Sequence, residues 1–123
     1  MSFDHERLDV YQAALDFVVL CEDVLEQLPR GRAHLVDQLS RASTSIVLNI
    51  AEGAGKYHKP DKRRFYLTAA GSATESAAVL DICVRLKLID PELQRRGKEI
   101  LHRVVAMLVK LATALERTVS GAP

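Results

Sequence analysis

A chain of 123 residues, 48% hydrophobic and 27% charged, has the composition of one folded domain with a single core. Disorder is excluded as the main state, no apolar run approaches the roughly 20 residues of a membrane span, and from the acidic start Met-Ser-Phe-Asp-His-Glu no secretory signal is expected. Cys21 and Cys83 lie far apart inside helical patterns, so the expectation is a cytoplasmic protein without a disulfide scaffold.

Apolar periodicity predicts four helices, over about residues 7–28, 33–52, 60–88 and 91–118, within one domain spanning 1–123. The first carries two apolar stripes, one through Leu8, Tyr11, Leu15, Val18 and Leu25, the other through Val10, Ala14, Phe17, Cys21, Val24 and Leu28. That is more than one core face requires. Pro29-Arg30-Gly31 breaks this helix, and Gly53-Ala54-Gly55 is expected to stop the second. Pro60 suits the first turn of the third, and Asp90-Pro91-Glu92 caps and opens the fourth. Short joints make consecutive helices antiparallel, so the predicted fold is all-α, an up-down-up-down four-helix bundle.

Helix two holds a polar stripe, Gln38, Arg41, Ser45, Asn49 and Glu52, directly beside its core stripe. Helix three offers Arg64, Ser72 and Glu75 on a matching face. Folding the two helices back near His58 sets Arg41 against Glu75, Ser45 against Gly71 and Ser72, and Glu52 against Arg64. Such a stripe is expected to be a hydrogen-bonded network that fixes helix register. The rival reading, a catalytic site at Ser45, Asn49 and Glu52, lacks a histidine base, a phosphate loop and a metal set.

Ile46 to Ala51 is apolar nearly all round, which would leave Val47 and Leu48 in water on an isolated subunit. These two are the candidate oligomer interface, with a second copy of the chain as the expected partner. Charge points the same way. Net charge is +1, yet residues 1–28 carry −6 and the remainder +7. An acidic helix on a basic body suits a head-to-tail contact that can close into a ring.

The densest basic segment runs from Lys56 to Tyr66 and interleaves aromatic residues. Lys56, Lys59, Lys62 and Arg63 are therefore the candidate nucleic-acid contacts, since cations neutralise phosphates and aromatics stack on bases. Gly53-x-Gly55-Lys56 is not a phosphate loop, because no strand precedes it and Tyr57 stands where a hydroxyl residue is needed. His5, His34, His58 and His102 share no ligand spacing. No catalytic residue, cofactor or metal is expected.

The run Gln38-Leu39-x-Arg41-Ala42-x-x-Ser45-Ile46-x-x-Asn49-Ile50-Ala51-Glu52-Gly53, with Arg64-Phe65 and Gly71-Ser72-x-x-Glu75, carries a family resemblance. It resembles the bacterial four-helix-bundle proteins of the intervening sequences in 23S ribosomal RNA genes. It is also similar to the accessory variability protein of diversity-generating retroelements, a basic pentamer that binds nucleic acid and a reverse transcriptase. The resemblance implies a cytosolic homopentameric ring and supplies no catalytic residue. The expected function is thus a non-enzymatic scaffold or adaptor that contacts RNA or an RNA-bound protein. The alternative is a small-ligand-binding or protein-interaction module using the polar flank of helices two and three.

Overall fold

The computed structural model describes residues 2–120 of the backbone and the side chains through residue 116. A short 3-10 turn at Asp4–Arg7 precedes four helices: α1 (Asp9–Gln27), α2 (Ala33–Gly55), α3 (Lys59–Arg85) and α4 (Pro91–Ser120). No strand occurs among the described residues. Helix α1 packs on α2 and α4, and α3 packs on the same two, so each helix has two neighbours around a square. Cross-helix contacts set rising numbers against falling ones, as in Gln38 with Glu75 and Ser45 with Ser72. Asp9 shares a groove with Lys110, and Asp23 shares one with Arg96. Neighbours are therefore antiparallel.

The core follows the apolar stripes. On α1 the Val10, Ala14, Phe17, Cys21 and Val24 stripe is buried, while Leu8, Tyr11, Leu15, Val18 and Leu25 are half-buried beside it. Leu39, Ile46 and Ile50 of α2 meet Leu80 and Cys83 of α3 and Val104 and Leu108 of α4 in one cluster. Small residues let α3 sink between its neighbours, with Ala69 and Ala73 fully buried. Helix α3 holds an 18-residue stretch with a mean hydropathy of 1.2. By length and composition α3 therefore meets the minimum for a membrane span, contrary to the sequence expectation, although Ala69, Ala73, Val79, Leu80 and Cys83 are buried in the bundle.

Two helix ends differ from expectation, each for a local reason. Helix α2 does not stop at Gly53 but runs on through Gly55. Gly53 is a contact point: a Cβ there would lie 2.9 Å from the Tyr66 ring and 3.1 Å from the Phe65 Cβ. Helix α3 ends at Arg85, short of Leu88. Lys87 takes the left-handed conformation, φ 59°, so that its amide reaches the Val84 carbonyl and the Leu88 amide reaches that of Cys83. Glycine usually fills that position. The start of α4 is as expected, with the Glu92 amide donating to the Asp90 carboxylate at 2.9 Å.

Candidate functional site

The α2/α3 seam opens into a polar cleft of about 380 Å³, lined by Gln38, Arg41, Ala42, Ser45, Ser72 and Glu75. The Ser45 and Ser72 hydroxyls share a hydrogen bond of 2.8 Å. Asn49 donates from Nδ2 to the Ser45 carbonyl at 2.8 Å and to its hydroxyl at 3.0 Å. The Ser45 oxygen thus accepts from Asn49 while sharing with Ser72 a hydrogen bond in which either hydroxyl can be the donor. One turn on, the buried Ser76 hydroxyl donates back to the Ser72 carbonyl. Gln38 Nε2 donates to Glu75 Oε2 at 3.2 Å.

The flanking ion pairs follow another pattern than the folded-back register predicts. Arg41 pairs with Asp37 on its own helix at 3.6 Å, while Glu75 takes the Gln38 amide. Glu52 lies 3.8 Å from Lys56, and Arg64 lies 3.7 Å from Asp61. Partners one turn away on the same helix reach these exposed groups without crossing a seam, and each such pair contributes only a few tenths of a kcal/mol. Gly71 marks no close approach either, since a Cβ there would meet nothing within 4 Å. Chemically, the cleft presents a serine whose hydroxyl is bonded to a second serine, with the Glu75 carboxylate and the Arg41 guanidinium lining the same opening. Glu52 stands apart, lining a separate groove of about 430 Å³ with Phe3, His5, Leu48 and Lys56.

The basic joint is partly consumed by the fold. Lys62 donates to the Gly53 and Ala54 carbonyls at 2.9 and 2.8 Å, capping α2, and its ammonium lies 5.9 Å from the Tyr66 ring centre. Helix C-termini leave carbonyls without donors, and a lysine in this position satisfies that of Ala54 and adds a second donor to that of Gly53, which also accepts the Lys56 amide. Arg63 reaches Glu116 of α4 at 3.5 Å. Lys56 and Arg64 lie over Phe65, at 5.3 and 4.6 Å from its centre, and Tyr66 is buried. Only Tyr57 among these aromatics is wholly exposed. Lys59 and Tyr57 thus stand outermost, and Lys62 and Arg63 are holding helices together. A glycine inside α2 followed by an aromatic pair two turns into α3 is the signal that could have found this joint.

The candidate oligomer residues divide. Val47 is half-buried against the core, whereas Leu48 is 58% exposed. Val19 of α1, unnoticed in the sequence pattern, is 70% exposed. Phe3 stacks on His5, and His5 tilts against Tyr11, which fastens the first turn over α1. Cys21 is buried, and burial pushes its thiol up to about 12, against a smaller lowering by Ser43. Burial raises the Cys83 thiol as well, so neither cysteine is a ready nucleophile. Among the described residues no three His, Cys, Asp or Glu side chains gather as a metal site.

Comparison with known proteins adds the relatives. The sequence profile described as 23S rRNA-intervening sequence protein matches residues 6–110. A protein of unknown function from the S23 ribosomal protein family of Bacteroides thetaiotaomicron VPI-5482 has a similar crystal structure. It shares 21% identity with a TM-score of 0.77, over 84% of this chain and 97% of that one. At that identity the likeness speaks for the fold. Comparison with curated proteins gives no match.

Proposed function

The chain belongs to the 23S rRNA-intervening sequence protein family, and we propose that it is a non-enzymatic scaffold built from identical subunits. The observation that carries this reading is apolar surface left over after folding. Leu48 and Val19 remain 58% and 70% exposed on the two helices whose sequence already held more apolar stripe than one core uses. Burying one such aliphatic side chain in a contact contributes roughly 1.5–3 kcal/mol, so a few per subunit stabilise an assembly. A ring of five, the form the family resemblance implies, brings five copies of each surface feature together.

On this reading the outward joint of each subunit, Lys56, Tyr57 and Lys59, is what the particle presents to RNA or an RNA-bound protein in the cytoplasm. Five weak basic sites on one particle bind a polyanion far more tightly than one. Two substitutions separate assembly from binding. Leu48→Glu is expected to disperse the particle, while Lys59→Glu leaves its mass unchanged and weakens RNA retention on a filter. RNA binding that does not fall as salt rises, or that survives Lys59→Glu at full strength, contradicts the RNA part.

The cleft at Gln38, Arg41, Ser45, Ser72 and Glu75 supports the second reading, a small polar ligand or a partner segment. It is open, and it holds a guanidinium and a carboxylate that are not paired with each other. A screen of polar metabolites by thermal shift, with Ser72→Val as control, tests it.

A further inference from the structure

Helix α1 carries Asp9, Asp16 and Asp23, and α4 carries Arg96, Arg103 and Lys110. Both rows repeat every seven residues, about 10.5 Å along a helix, so each row keeps to one side of its helix. Asp9 and Lys110 line one groove at the α1/α4 seam, and Asp23 and Arg96 line another at its far end, where Glu26, Asp90 and Glu92 add acidic charge. The equal spacing puts Asp16 level with Arg103. An acidic row and a basic row thus run side by side along one exposed face. All six residues are exposed, and among the described residues none of them makes an ion pair within 4.0 Å. The Asp9 end holds an apolar groove of about 400 Å³, floored by Leu8, Met107 and Leu111.

We propose that this face is a two-fold contact surface, and that its occupant is the same face of a second copy of the chain. It rests on the reading of the chain as a self-assembling subunit. The charge pattern selects the symmetry. An axis running along the seam lays the acidic row of each copy over the basic row of the other, level with level. An axis crossing the helices would lay aspartate on aspartate. Charge complementarity of this kind sets register and speeds encounter, while the apolar groove between the rows supplies burial. The contact is isologous, so it joins copies in pairs and differs from any head-to-tail ring contact.

The test uses the full chain in sedimentation velocity at low ionic strength. Asp16→Lys with Asp23→Lys leaves Asp9 as the one acid of the six, and Arg96→Glu with Arg103→Glu leaves Lys110 as the one base. Each variant alone is expected to lose the pairing, with a dissociation constant raised about tenfold or more and the particle mass halved. An equimolar mixture is expected to restore it, since each chain then complements the other. Should a double variant fail to fold by circular dichroism, Asp16→Lys and Arg103→Glu carry the same comparison. Variants that assemble like the parent, or a mixture that restores nothing, overturn the two-fold contact and leave the scaffold reading standing. A parent chain that is monomeric at every salt concentration overturns both.

Discussion

The seams on either side of α4 differ in how their charges are used. Against α3, Lys98 donates to Asp81 at 2.9 Å, Gln94 donates to the same oxygen at 2.9 Å, and Arg63 meets Glu116 at 3.5 Å. Against α1, two rows of opposite charge run level and form no such pair. The α2/α3 seam resembles the first kind, closed by Gly53 against Tyr66, by the Lys62 cap and by the Ser45–Ser72 bond. Helix α3 thus has polar partners across both of its seams, although Leu67 and Ile82 remain exposed on it, and α1 is the helix whose acidic row has no partner across its seam with α4. A subunit whose interactions are spent on one side and unspent on the other has a direction in which association is favourable.

Perturbing the closed side should cost stability and leave assembly alone. The largest effect is expected at Gly53→Val, whose side chain has no room against Tyr66, with a loss of about 2–3 kcal/mol in urea melts. Next comes Lys62→Ala, which strands the Ala54 carbonyl and leaves Gly53 with only the Lys56 amide, and should cost about 1–2 kcal/mol, while Lys59→Ala stays near zero. A smaller loss of about 1 kcal/mol is expected for Ser45→Ala or Ser72→Ala, with the double variant less than additive. Full additivity there would mean that the two hydroxyls do not support one another.

The smallest effect sharpens the picture through pH. The Lys98 ammonium holds the Asp81 carboxyl below its ordinary range, and the Gln94 amide assists. A depressed folded value contributes stability that is complete above the unfolded aspartate range and fades as pH falls through the lower value. Asp81 is half exposed, so Asp81→Asn should cost only about 0.5 kcal/mol near neutral pH and nothing in strong acid. A cost that persists at low pH would show that the contact is not ionic.

Helix number, class and most boundaries are legible in the sequence because burial periodicity and the Asp90-Pro91-Glu92 cap are local signals. The misread ends show where local signals are ambiguous. Gly53 reads as a helix stop until Tyr66 is placed beside it, since a glycine that ends a helix and one that admits a ring look alike. Lys87 closes α3 in a conformation usually left to glycine, so its composition gave no warning. The serine cluster was legible from spacing because Ser45 and Ser72 sit on the half-buried flank, where geometry leaves few partners. Arg41, Glu52 and Arg64 were not, because long exposed side chains choose among several partners of similar energy. Lys62 and Arg63 read in the sequence as candidate nucleic-acid contacts, whereas the fold gives them helix carbonyls and a carboxylate as partners, which only the tertiary arrangement brings within reach.

The central claim, that identical chains cover one another, is tested most directly by the mass of the unaltered protein in native mass spectrometry at micromolar concentration. The account predicts a fivefold multiple of 13.6 kDa, or pairs of such rings, with no appreciable free subunit. A single species at 13.6 kDa, with Leu48 and Val19 open to solvent, would contradict it.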